Sequence, residues 1–140
     1  MSHLLDTSVI TRVSHGKPLI KEALKALKDL VGGANIERCT MTDLEYCFSA
    51  ENERQWDTRA SDLAVYASVA VEPADFSTAL DLQRELARVG LAKRKAPDLI
   101  IAAVAIRQGL TLVHYDADFG HIAKVSELKH QWIVPAGSVD

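Results

Sequence analysis

Ala96-Pro97-Asp98-Leu99-Ile100-Ile101-Ala102-Ala103-Val104-Ala105-Ile106-Arg107-Gln108-Gly109-Leu110-Thr111-Leu112-Val113-His114-Tyr115-Asp116 is the stretch whose reading decides the fold. A proline followed by an acid reads as a helix start, because the ring pre-sets φ and its missing N–H would have no partner there. Leu99–Ile106 is an unbroken apolar run of eight residues, far short of the roughly 20 that span a bilayer. It therefore reads as a helix buried on nearly every side, packed on a sheet and covered by another helix. Gly109 closes it, and Leu110–His114 reads as a short buried strand that stops before Asp116. A buried helix that delivers the chain directly into a buried strand is half of a βαβ unit, and such units build parallel sheets covered on both faces.

Working outward, the alternation continues. His3–Leu5 reads as a strand stopping at Asp6, where Thr7-Ser8 allow a helix to start at once. Pro18–Val31 carries Ile20, Leu24, Leu27 and Val31 at helical spacing and is closed by Gly32-Gly33. Ile36–Cys39 is a second strand. Thr42-Asp43-Leu44-Glu45 has the T-x-x-E form of a capping box and is expected to open a helix through Phe48. A helical pattern over Arg54–Tyr66 and a third strand within Val65–Val71 follow. Pro73-Ala74-Asp75 starts a helix with Ala79, Leu82 and Leu86 on one face, ending near Gly90. Asp118–Val125 reads as a short helix and Gln131–Val134 as a last strand. The expectation is an α/β chain in three layers, α/β/α, around a mainly parallel sheet. With 140 residues and no repeat or linker, residues 1–140 are expected to form a single domain.

Composition narrows the function. Apolar residues at 48% and charged residues at 25% argue against disorder. Sixteen basic against nineteen acidic residues leave a net charge of −3. That excludes a protein that coats nucleic acid by bulk charge, though not local chemistry on it. Cys39 and Cys47 lie eight apart without CxxC or histidine spacing, which argues against a zinc ribbon, a redox dithiol or a disulfide scaffold. Met1–Asp6 shows no basic stretch leading into a long apolar one, so the chain is expected to be soluble and cytoplasmic, with no membrane partner.

Carboxylates gather at element ends. If the strands are parallel, Asp6 and Asp116 leave the same sheet edge, where helices also begin, and that is where open α/β sheets bind ligands. Glu45 and Asp98, each in a first turn, are placed to face the same cleft, with Asp118 two residues beyond Asp116. Each acid also has an ordinary role: Glu45 in the capping box, Asp98 against a helix dipole, Asp116 and Asp118 as turn and N-cap residues. Carboxylates crowded together raise one another's pKa unless a divalent cation compensates them, and an all-oxygen donor set favours Mg²⁺ or Mn²⁺.

Four blocks in order carry a family resemblance. Leu4-Leu5-Asp6-Thr7-Ser8-Val9-Ile10 resembles the opening of PIN-domain ribonucleases. Thr42-Asp43-Leu44-Glu45 is similar to their T-x-x-E helix, Pro97–Ala103 to their D-x-x-I-A-A segment, and Leu112–Phe119 to their L-V-T-x-D-x-D-F. The length matches the VapC-like toxins of bacterial toxin–antitoxin pairs. The resemblance implies a PIN-like fold and a metal-dependent endoribonuclease toxin that cleaves structured RNA such as tRNA or rRNA. It implies a cognate VapB-like antitoxin that inserts a segment, often carrying an arginine, into the acidic site, and a homodimer. Asp6, Glu45, Asp98 and Asp116 form the implied catalytic cluster. Asp6, Asp98 and Asp116 are its metal ligands with Asp118 as an accessory, while Glu45 acts as base or holds a metal-bound water. Ser8 is expected to hydrogen-bond behind the ligands.

One position departs from the pattern: His114 stands where the family has Thr or Ser. It replaces the hydroxyl's hydrogen bond, contacts phosphate, adds a nitrogen ligand, or simply ends the strand and bonds to backbone. Lys93-Arg94-Lys95, with Arg84 and Arg88 on the preceding helix, is either a phosphate-steering patch for RNA or a solvated loop. Trp56 and Tyr115 are candidates to stack on bases, and Trp132 is assigned to the core. Two other classes remain. A phosphoryl-transfer protein with an acidic Mg²⁺ site lacks here the second Asp two residues after Asp6 or a lysine after the late strand. A non-catalytic PIN-like module usually loses acids that this chain keeps.

Overall fold

Five strands, β1 (His3–Leu5), β2 (Ile36–Cys39), β3 (Ala67–Val69), β4 (Thr111–His114) and β5 (Lys129–Trp132), pair side by side in the computed structural model, which describes residues 2–140. All four pairings are parallel, in the order β3-β2-β1-β4-β5. Successive residues of a strand point to opposite faces, and the apolar pattern obeys this. Leu4, Cys39 and Leu112 enter one core cluster, while Leu5, Ile36 and Val113 enter the other.

The helices are α1 (Thr7–Ser14), α2 (Pro18–Val31), α3 (Thr40–Cys47), α4 (Glu53–Leu63), α5 (Pro73–Arg88), α6 (Ala96–Gln108) and α7 (Asp118–Ala123), with a 3-10 turn at Gly33–Asn35. α5, α6 and α7 supply Leu82, Leu86, Ile101, Phe119 and Ile122 to the first cluster. α1 and α2 supply Val9, Ile10, Ile20 and Leu24 to the second. The three-layer expectation holds, with the sheet wholly parallel. α6 is buried from Asp98 through Ala105 because the sheet lies on one side and α5 on the other. Gly109 ends it in the left-handed region at φ +66°, a conformation that strains any residue with a Cβ.

The topology places the site. The chain runs from β1 through β2 to β3, then returns past β1 to β4 and β5. Strand order therefore reverses between β1 and β4, and the crevice beyond their carboxyl ends is the switch point where such sheets bind ligands. There the Asp6 N–H donates to Val113 O at 2.9 Å.

Several expectations needed correction. α3 starts at Thr40, with Cys39 as its N-cap accepting from Met41 N, so Thr42 and Glu45 lie inside the helix and form no capping box. The capping box of the chain is Glu72 with Asp75, at the start of α5. Asp75, 1% exposed, also receives Arg107 Nε at 2.9 Å, and that ion pair ties the β3–α5 corner to the end of α6. The last strand is Lys129–Trp132 rather than Gln131–Val134, because β5 pairs in register with all four residues of β4. α4 ends at Leu63, short of Tyr66, whose ring is instead buried in the second cluster. α1 follows β1 with no loop, Asp6 being its N-cap. Cys39 and Cys47 are buried free thiols. No helix among the described residues is long and apolar enough to cross a membrane.

Candidate active site

Asp6 is held by the start of α1. One carboxylate oxygen accepts from Ser8 N at 3.0 Å and from Ser8 Oγ at 2.5 Å, while Oδ1 is buried without a partner. The Ser8 hydroxyl in turn accepts from Tyr115 N at 2.9 Å, which ties the end of β4 to the end of β1. Ser8 thus bonds to both Asp6 and the end of β4. Glu45, on α3, accepts from Thr7 Oγ1 at 2.7 Å. Thr7 Oγ1 also lies 3.1 Å from Thr42 Oγ1, so the T-x-x-E spacing serves the site rather than a helix cap.

Asp98 enters from the first turn of α6 and is 5% exposed, with Oδ2 buried and unpartnered. Carboxylate oxygens of Asp6, Glu45 and Asp98 lie within 4.8 Å of one another, as do those of Asp98, Asp116 and Asp118. Asp98 therefore joins the two groups. Burial, followed by the charges of Asp6, Asp116, Glu45 and Asp118, pushes its pKa from 3.8 up to about 8. Asp6 is also raised, to about 6, chiefly by burial; the Ser8 hydrogen bonds oppose this and the Glu45 and Asp116 charges add to it. Two buried carboxylates with orphaned oxygens in an all-oxygen cluster could hold a divalent cation, and their donor chemistry fits such an ion.

Asp116 Oδ1 accepts from Asp118 N at 2.9 Å, and Asp116 N donates to His114 Nδ1 at 3.1 Å. His114 thus accepts a backbone hydrogen bond at the end of β4. With Nδ1 accepting, Nε2 carries the proton and donates to His130 Nδ1 at 2.8 Å. His114 is fully buried against Phe119, His130 and Trp132, and burial lowers its pKa to about 4, with the neighbouring His130 adding to the effect. It stays neutral at physiological pH and orients Asp116.

The basic triplet divides. Arg94 Nη1 pairs with Asp118 Oδ1 at 2.8 Å, so Arg94 holds an acid of the cluster rather than standing free. Lys95, the N-cap of α6, lines the acidic cleft, whereas Lys93 is exposed at φ +73° on the loop before it. Tyr115 lines the acidic cleft, but its ring is largely packed away. It is buried, bonded through its hydroxyl to Val139, and covered by Trp132 and by Arg12 at 4.6 Å. Trp132 packs against the second core cluster as assigned. Trp56 is 51% exposed on α4, away from the acids.

The sequence reading missed Arg12. Its Nη1 donates to Ser8 O at 2.9 Å, and its side chain lines the cleft of about 560 Å³ that contains Asp6, Glu45, Asp98 and Asp116. Among the described residues it makes no ion pair with any of these acids. The signal was present in the spacing: on a helix beginning at Thr7, Arg12 follows Ser8 by one turn and shares its face.

A three-layer α/β/α fold with acids gathered at the switch point of its sheet, at the ends of β1 and β4 and on α3 and α6, defines an acid-cluster domain. The PIN domain family model matches residues 3–125, and the chain belongs to that family. It is 41% identical over 140 residues to Ribonuclease VapC51 of Mycobacterium tuberculosis, covering all of this chain and 98% of that protein. It is 34% identical to Ribonuclease VapC21 of the same species, covering 97% and 96%. Among solved structures, the chain resembles DNA-bound VapBC from Salmonella typhimurium (TM-score 0.76, 18% identity, 96% of this chain and 99% of that one). It likewise resembles VapBC2 from Rickettsia felis bound to a promoter fragment (TM-score 0.75, 19% identity, 94% and 98%). These structural matches establish the shared fold.

Proposed function

We propose that the chain is a divalent-metal-dependent endoribonuclease of the VapC kind, a cytoplasmic toxin that cleaves structured RNA such as tRNA or rRNA and is restrained by a VapB-like antitoxin. The observation that carries this reading is the pair of buried, unpartnered oxygens on Asp6 and Asp98, within a cluster that, among the described residues, no lysine or arginine neutralises apart from Arg94 at Asp118. Asp6, Asp98 and Asp116 would hold the ion, with Asp118 steadied by Arg94 at the margin. A bound Mg²⁺ or Mn²⁺ supplies an activated water and charge neutralisation at phosphorus.

The remaining work falls to the chain itself. Ser8 fixes the rotamer of Asp6, and His114 fixes the turn that presents Asp116. Glu45, held by Thr7, takes the proton from the attacking water. Arg12, stacked on Tyr115, and Lys95 face the cleft as cations for the phosphate, and Lys93 adds steering charge at the loop. The acids also suit capture of an arginine from the antitoxin. Expression of the chain alone is expected to arrest growth, and 5′-end mapping of RNA from arrested cells is expected to show new ends recurring at one site in a structured RNA. Growth arrest without new ends would refute the reading.

A further inference from the structure

A second groove of about 790 Å³ opens between α1, α3 and α4. It shares Thr11 and Glu45 with the acidic cleft, so the two adjoin at these residues, and a polymer lying over the acids can continue into this groove. Its wall carries Asn52, Arg54 and Gln55 from the start of α4, all three exposed. Asn52 Oδ1 accepts from Gln55 N at 2.9 Å, and Gln55 Oε1 accepts from Glu51 N at 2.9 Å. Each amide oxygen is engaged at the start of α4, which leaves both NH₂ groups as donors for a ligand. Arg54 makes no ion pair among the described residues. Arg59 spends Nη1 on Tyr46 O and Ser49 Oγ, which fixes its guanidinium and leaves its other nitrogens. The groove thus offers Arg54, Arg59 and the amide donors, set against the carboxylates of Glu45 and Asp62, the latter accepting from the Tyr46 hydroxyl at 2.8 Å.

Resting on the nuclease reading, we infer that this groove is the substrate's path: a single-stranded RNA segment flanking the scissile phosphate lies along α4, its phosphates and base carbonyls met by Arg54, Arg59, Asn52 and Gln55. Phosphodiesters and base edges are dense in acceptors, which is the complement of this surface. An amphipathic protein helix would need exposed apolar side chains to pack on, and the lining holds no aliphatic side chain, with Tyr46 buried beneath it. The placement also gives the acids a directional substrate, with one flank in the α4 groove and the other toward Lys95.

The test is fluorescence anisotropy of a labelled mixed-sequence RNA oligonucleotide over a salt series. Asp98→Asn protein is used so that cleavage does not enter. Adding Arg54→Ala and Gln55→Ala is expected to raise Kd several-fold and to flatten the log K against log salt slope by about 0.7 for each phosphate no longer neutralised. Arg54→Lys with Gln55 retained is expected to restore the slope. Both positions lie on the surface, and circular dichroism checks that each variant folds. An unchanged Kd and slope would overturn the inference. So would unchanged RNA binding together with easier loss of a co-purified antitoxin, which would assign the groove to a protein. Wild-type protein that leaves RNA intact in Mn²⁺ would refute the nuclease reading itself. A working nuclease indifferent to the double substitution refutes only the groove.

Discussion

Asp98→Asn exchanges the most perturbed acid of the cluster for an isosteric neutral group, and the structure sets both the sign and the size of the result. In the metal-free folded state burial and neighbouring charge raise the Asp98 pKa from 3.8 to about 8. An acid raised on folding favours the folded state at low pH, because the fold retains a proton that the unfolded chain releases. The penalty grows as pH rises through the unfolded value and is complete above the folded one. At pH 7 the gap from the unfolded pKa is roughly three units at about 1.36 kcal/mol each, a penalty on the order of 4 kcal/mol. Asparagine titrates in neither state and escapes it, while its buried amide still lacks partners. The net gain is therefore on the order of 1–4 kcal/mol, or several degrees in Tm for a chain of this size. Adding Mn²⁺ should raise the Tm of wild-type protein, since an ion that binds only the fold stabilises it by mass action, and should raise the variant's much less. Differential scanning fluorimetry with chelator and then with Mn²⁺ reads all four states. A variant that melts below wild type without metal and responds equally to Mn²⁺ would show that Asp98 is only a helix-start residue.

Cleavage and metal affinity should both rise with pH between about 6 and 8, because Asp6 (about 6) and Asp98 (about 8) must lose protons to bind a cation; a rate flat across that window would contradict the cluster. Arg12→Ala should lower kcat/KM by roughly ten- to a hundred-fold, the value of a charged hydrogen bond to phosphate, and Arg12→Lys should recover part of it in a steady-state assay. His114→Thr keeps an acceptor for Asp116 N but empties the space filled by the ring, so unfolding should show a loss of about 1–3 kcal/mol with cleavage largely retained; loss of cleavage at normal folding would mean that the ring acts on substrate. Leu44 and Phe48, 69% and 87% exposed and one turn apart at α3 and its C-cap, are apolar surface suited to the expected homodimer. Phe48→Glu should shift the mass measured by light scattering from dimer to monomer, and an unchanged mass would move the interface elsewhere.

The sequence was most legible where one physical signal dominated. The apolar run Leu99–Ile106 and the short strands at His3 and Leu110 announced a covered parallel sheet, and parallel strands placed Asp6 and Asp116 at one edge before any geometry was known. It was least legible where two motifs share a pattern. T-x-x-E fits both a capping box and a pair of side chains facing inward, and only the true start of α3 at Thr40 decides between them. α1 was obscured because Asp6 ends a strand and caps a helix in the same residue, and with α1 went Arg12. The basic triplet read as one patch, yet backbone direction at Lys93 sends its three side chains to different tasks. The bonding of His114 was invisible in the sequence, since only its partners show which nitrogen accepts and which donates.

The most direct measurement incubates purified wild-type and Asp6→Asn protein with total RNA in Mn²⁺ and in chelator, and maps the cut ends by sequencing. The acid-cluster account predicts discrete new ends for wild type in Mn²⁺ only, and none for Asp6→Asn under either condition. Equal cutting in chelator, or by the variant at equal folded concentration, would contradict it.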